Sequence, residues 1–132
     1  ANLSVIPAWF LLVVFPRKRI TELVVHSYLY PFILGILYIT LLVLSFGGEG
    51  GMDSLENLKL SFAREEVLVL GWVHYLVFDL FIAAWISRDS RKNHIAHLKI
   101  IPSLVLTLLL GPVGLLTYLI IRWFQLKKTS FL

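Results

Sequence analysis

At 132 residues, 58% hydrophobic and only 15% charged, with a mean hydropathy of +0.84, the chain carries more apolar surface than a water-soluble body of this size can hide. Its net charge of +4 sits mostly at the ends of apolar runs, as Arg17-Lys18-Arg19, Arg88, Arg91 and Lys92, then Arg122, Lys127 and Lys128. Those are the positions of membrane anchors, so the charge does not signal nucleic acid, and the absence of cysteine excludes disulfides and thiolate chemistry.

Ala1 to Pro16 is free of charge and predicts a first helix over about residues 1–15. The run is short and opens on Ala1 rather than Met, so this helix is expected to begin upstream. A cleaved signal peptide is the weaker reading, since neither an n-region nor a small-residue cleavage site is visible. Leu23 to Gly48, uncharged apart from the titratable His26, predicts a second helix over about 24–46.

The connection Gly47 to Glu66 starts with Gly-Gly-Glu-Gly-Gly, which holds no helix cheaply. Asp53-Ser-Leu-Glu56 then reads as a capping box opening a short interfacial helix over about 53–64, with Leu55, Leu58 and Phe62 against the membrane. Val67 to Ser87, broken only by His74 and Asp79, predicts a third spanning helix over about 66–87. Ile100 to Ile121 predicts a fourth over about 99–123, kinked at Gly111-Pro112-Val113-Gly114 because proline removes a backbone hydrogen bond. The expected fold is therefore an all-α integral membrane protein, a compact bundle of four transmembrane helices plus the interfacial helix, in one domain over 1–132. Counting Lys and Arg puts seven beside the first and third connections and five opposite, so the seven-charge side is expected to face the cytoplasm or stroma, with both termini and the acidic 47–66 loop on the other side.

Asp79 is the residue most suggestive of chemistry. An ionised carboxylate in mid-membrane costs about 2.5–3.5 kcal/mol on insertion scales, so it must face the bundle interior, be protonated or have a partner. Helical spacing places Leu68, Trp72, Tyr75, Asp79, Ala83 and Ile86 on one stripe, so Tyr75 can reach the carboxylate. A purely structural clamp to another helix weighs about as much as a functional role. His74 faces elsewhere, with Phe78, Phe81 and Trp85, and reads first as a helix–helix hydrogen bond, second as a proton carrier or an axial ligand to a macrocycle metal. His94 and His97 are too few ligands for a metal. Trp9, Trp85 and Trp123 fit an interfacial aromatic belt.

Gly71-Trp-Val-His-Tyr-Leu-Val-Phe-Asp-Leu-Phe-Ile-Ala-Ala-Trp-Ile86 strongly resembles the third-helix signature of the abscisic-acid-deficient-four-like family, a small four-helix family whose plant member is linked to neoxanthin synthesis. His97-Leu-Lys-Ile-Ile-Pro102, Leu106-Thr-Leu-Leu-Leu-Gly-Pro-Val-Gly-Leu-Leu-Thr-Tyr118 and the opening Asn2 to Trp9 with Pro16-Arg17 extend the resemblance over nearly the whole chain. It implies a chloroplast thylakoid or envelope membrane, or a cyanobacterial one, with membrane lipid and a carotenoid as partners. It also implies an isomerisation in which an epoxide opens to a hydroxyl while the adjoining polyene carbon loses a proton. That chemistry requires no cofactor but needs an acid and a base. Asp79 is the expected acid, oriented by Tyr75, with His74 or His97 as base. Trp72, Phe78, Trp85, Gly111, Pro112 and Gly114 are expected to hold the ligand.

Two further readings stay open. One is a non-catalytic subunit of a photosystem or antenna assembly, holding chlorophyll through His74 or His26 and carotenoid against the kinked helix. The other, a small transporter or proton channel, is weaker, because the core offers one carboxylate and no inverted repeat.

Overall fold

The computed structural model describes residues 2–131, with side chains from Val5 onward; Ala1, the expected start of the first helix, lies outside the described residues. Within them the chain is all-helical: α1 (Asn2–Val14), α2 (Arg19–Val24), α3 (Leu29–Ser45), α4 (Leu55–Phe62), α5 (Glu65–Lys92) and α6 (His97–Leu126). Three segments are long and apolar enough to cross a membrane, Arg19–Ser45, Glu65–Lys92 and His97–Leu126, and a shorter apolar helix covers Val5–Val14. Large apolar side chains point outward in quantity, among them Phe32, Ile36, Ile39 and Val43 on α3 and Phe78 and Phe81 on α5. That surface suits lipid, not water.

The core is small. Val5, Ala8, Trp9 and Leu12 of α1 pack with Leu76, Leu80, Ala83 and Ile86 of α5, and with Ile100, Leu104 and Tyr118 of α6. Trp9, expected in an interfacial belt, is therefore a core residue, only 4% exposed.

The second predicted helix is broken in two. Pro31 stands in the first turn of α3, where a missing N–H is harmless, but its ring would collide with the carbonyl of Ser27 in a continuous helix. Ser27 bridges the break: its hydroxyl donates to the Leu23 carbonyl and accepts from the Leu29 N–H at 3.2 Å. The interfacial helix starts one residue later than the capping-box reading. Ser54 is the N-cap, accepting from the Asn57 N–H at 3.1 Å, while Asp53 accepts from the Asn57 side-chain amide at 2.9 Å. That amide bond holds the exposed Asp53 carboxyl below the usual carboxylate range.

The largest departure lies in α6, which reverses where the sequence predicts a kink. Leu110 leaves the helical region (φ −146°, ψ 66°), and a methyl group on Gly114 would stand 2.5 Å from the Thr107 Cα. Seven residues of unbroken helix would separate those two positions by about 10 Å. Contacts with α5 give the direction of each arm. Leu108 lies level with Tyr75, Gly111 with Asp79, and Tyr118 and Arg122 with Asp89, so the second arm runs parallel to α5. The first arm runs the opposite way: His97 sits at the end of α1 beside Val13, while Leu108 and Leu109 line one cavity with Val5 and Ile6 near the start of α1. The tip of this helical hairpin lies about 15 Å along α5 from Glu65, that is, at mid-depth. In place of a fourth straight crossing, the structure has two side-by-side arms, and the C-terminal segment returns to the end that holds Arg17, Lys18 and Arg19. Ten basic residues then cluster at one end (Arg17, Lys18, Arg19, Arg88, Arg91, Lys92, Lys99, Arg122, Lys127 and Lys128), against Lys59 and Arg64 at the other.

Candidate functional site

The hairpin tip explains where Tyr75 points. Pro112 has no N–H to give the carbonyl four residues back, which is that of Leu108, and the Tyr75 hydroxyl donates to this orphan at 2.9 Å. The tyrosine thus latches α5 to the tip. The stripe predicted from helical spacing is intact: the Trp72 and Tyr75 rings lie 5.9 Å apart, and Tyr75 and Asp79 are adjacent. Asp79 packs its carboxylate directly against Gly111, where any side chain would collide with it, and its Oδ2 is buried with no hydrogen-bond partner. A buried carboxylate oxygen without a donor is costly unless it carries a proton or receives one from a ligand.

Below the tip opens an apolar cavity of about 890 Å³. Leu108 and Leu109 form its roof, Val5 and Ile6 and Tyr38 flank it, and Phe62 and Met52 close it toward the interfacial helix. Along α5 it is lined by Gly71, Trp72, His74 and Tyr75 among others. Its size lies at the upper end of the range for small-molecule sites, and its few polar groups come from α5, with Tyr38 of α3 facing them. Gly71 matters locally, because a methyl there would press on the Phe62 ring at 3.1 Å and narrow the cavity.

The expected site residues divide into groups. Trp72, His74 and Tyr75 line the cavity, and Asp79 stands one turn behind Tyr75. His74 has the Phe78 ring at 4.8 Å and the Tyr38 ring at 5.7 Å. Gly111 and Gly114 are filled by the protein itself, by Asp79 and by the Thr107 backbone, and Pro112 acts through the carbonyl it frees. Trp85 stacks edge-on against Tyr118 and Phe131, away from the cavity. His97 donates Nε2–H to the Val13 carbonyl at 2.8 Å, satisfying the end of α1 at the far side of the bundle. His26 faces Arg88 and Arg91 with both ring nitrogens. Among the described residues no three His, Asp or Glu side chains are placed to hold a metal ion.

Sequence reasoning did not single out Tyr38 or Leu109 and expected Phe62 against the membrane; the three come to the cavity from α3, the hairpin tip and α4. It also missed the polar knot Asp89–Arg122–Tyr118. Arg122 pairs with Asp89 at 2.8 Å, both nearly buried, Tyr118 donates to the same carboxylate oxygen, and Arg122 also donates to the Ser130 carbonyl. The signal was Asp89, an acid among three basic residues, with a tyrosine and an arginine one turn apart on α6.

Compared with known proteins, the model of the ABA DEFICIENT 4-like family matches residues 1–118. The chain is 31% identical over 128 residues to "Protein ABA DEFICIENT 4, chloroplastic" of Arabidopsis thaliana, an alignment covering 90% of this chain and 57% of that protein. The chain thus spans little more than half the length of this relative. No solved structure matches it.

Proposed function

This chain belongs to the ABA DEFICIENT 4-like family, and on that premise we propose that it works in a chloroplast membrane, taking a carotenoid into the cavity below the hairpin tip and isomerising an epoxy-xanthophyll to an allenic one. The observation that carries this reading is the cavity itself: an apolar space between the hairpin tip and the interfacial helix, walled by His74 and Tyr75, with Asp79, whose Oδ2 has no hydrogen-bond partner, one turn behind Tyr75.

The reaction breaks an epoxide C–O bond, gives the oxygen a proton and takes one from the neighbouring polyene carbon, so nothing is oxidised or reduced overall. Acid and base must therefore act on one substrate end together. Asp79 in protonated form supplies the acid through or beside Tyr75, which lines the cavity one turn away. His74, on the adjacent wall, takes the carbon proton. His97 is too remote for the same role. Trp72 and Phe62 hold the polyene and ring through apolar contact.

The test is conversion in liposomes carrying the purified chain and an epoxy-xanthophyll, followed by chromatography. Wild-type chain yields the allenic product, and Asp79→Asn and His74→Gln each lower the rate by about 10²–10⁴, the usual worth of general acid–base catalysis. Full conversion by both variants would sink the assignment.

A second reading rests on one observation. The His74 imidazole, exposed between two aromatic rings on the cavity wall, has the setting of an axial ligand to a chlorophyll in a non-catalytic photosystem or antenna subunit. Chlorophyll retained in fixed ratio and lost in His74→Gln supports it.

A further inference from the structure

The end of the bundle opposite the cavity holds a cluster that the proposed reaction does not use. His26, in the break between α2 and α3, meets Arg88 Nη1 through Nδ1 at 3.3 Å and Arg91 Nη2 through Nε2 at 3.2 Å. A neutral imidazole has one lone pair and an imidazolium has none. Whatever its protonation state, at least one of these contacts sets an N–H against an N–H. The arrangement therefore lacks an acceptor.

No carboxylate provides one. The ion pairs among the described residues are Arg64–Glu66 and Arg122–Asp89. Asp89, which lies between the two arginines in sequence, turns away to Tyr118 and Arg122. Two guanidinium groups and an imidazole N–H thus converge with no anion among them, at the end of α5 where a spanning helix leaves the hydrocarbon. The return of the second α6 arm brings Lys127 and Lys128 to the same end and adds to its positive potential.

We propose that His26, Arg88 and Arg91 form a binding site for a phosphate oxyanion, met either as the phosphodiester of an anionic lipid headgroup or as free phosphate. The guanidinium groups supply planar donor forks, the geometry that suits phosphate oxygens, and the anion accepts the donor that now opposes another donor. Occupancy ties α2 and α3 to α5 and so stiffens the bundle from the end away from the cavity.

The experiment uses the full chain in neutral micelles, read by thermal unfolding and by titration with phosphatidylglycerol, phosphatidylcholine or inorganic phosphate. In wild type, phosphatidylglycerol raises the unfolding midpoint and phosphatidylcholine does not, as expected when a ligand binds the folded state alone. A rise with inorganic phosphate as well assigns the site to the free oxyanion; a rise with the lipid alone assigns it to the headgroup. Arg88→Gln/Arg91→Gln weakens the binding at least roughly tenfold per arginine lost, because each charge-assisted bond is worth more than about 1.4 kcal/mol. Arg17→Gln/Lys18→Gln, which removes the same charge from the same end, leaves binding within a factor of about two to three. If the glutamine pair does not fold, Arg88→Lys/Arg91→Lys takes its place and still weakens binding, since an ammonium lacks the fork. No stabilisation of wild type by either anion, or equal weakening in both charge-matched variants, overturns the proposal.

Discussion

Gly114→Ala is the substitution that separates a reversed α6 from a merely kinked one, because the two geometries predict opposite signs. In a spanning helix with a simple kink, replacing glycine by alanine stabilises by about 0.5–1 kcal/mol, the cost of glycine's backbone freedom. In the reversal, the new methyl would sit 2.5 Å from the Thr107 Cα and closer still to its amide nitrogen and hydroxyl. The hydroxyl cannot simply swing aside, being committed to the Ser103 carbonyl at 2.7 Å, and the backbone of a fully buried residue cannot move without opening the tip. Overpacking of this kind costs typically 1–3 kcal/mol, so the net effect is destabilisation of about that size. Gly35→Ala is the control, since nothing lies within 4 Å of a methyl there; it should be neutral or stabilising. Unfolding in mixed micelles by titration with a denaturing detergent, followed by tryptophan fluorescence, gives both numbers. Gly114→Ala as stable as wild type, or more so, would refute the reversal.

Three other outcomes follow from the same contacts. Tyr75→Phe strands the Leu108 carbonyl that Pro112 frees and should cost about 1–3 kcal/mol in the same unfolding assay, whereas Tyr38→Phe should cost far less. Arg122→Gln leaves Asp89 buried without its counter-charge and should cost about 3–5 kcal/mol; Arg122→Gln/Asp89→Asn together should cost less than the sum of the two. Because the chain has no cysteine, single reporters give clean topology: Lys18→Cys and Lys128→Cys should label from one side of a sealed vesicle and Glu49→Cys from the other. Labelling of Lys18→Cys and Lys128→Cys from opposite sides would contradict the hairpin.

Much of the fold was legible because lipid makes the hydrophobic pattern simple. Runs free of charge mark the places of α1, α3, α5 and α6, with bounds off by up to five residues at the start of α3 and the end of α5, and the glycine stretch before α4 marks the one longer connection. Breaks inside apolar runs were harder to read, since lipid-exposed residues on either side look alike. Pro31 was the visible signal for the split at 25–28, yet a proline in a helix's first turn and one inside a helix read the same from composition alone. At Gly111-Pro112-Val113-Gly114 the local signal stops at a distorted helix. What separates reversal from kink is tertiary: Tyr75 accepts the task of satisfying Leu108, Gly114 admits the Thr107 backbone, and Asp89 draws Tyr118 and Arg122 back. The charge count carried a faint trace of it, for a straight α6 leaves a nearly even seven-to-five split where the reversed one gives ten to two.

The candidate site was legible along α5, where helical geometry alone places Trp72, Tyr75 and Asp79 in line. The far walls were not, because Tyr38, Phe62 and Leu109 reach the cavity only through packing of separate elements. His26 and His97 lie elsewhere: His97 closes a helix end and His26 sits between two arginines, so neither lines the cavity.

The cavity is the centre of this account, and the most direct measurement is pigment retention by the detergent-purified chain in wild type and in Leu109→Trp, which fills the space from its roof. The account predicts that wild type keeps a carotenoid in near-stoichiometric amount, identified by absorption and chromatography, and that Leu109→Trp loses it while unfolding as a single species. Equal retention by both, or none by wild type loaded with an epoxy-xanthophyll, would contradict it.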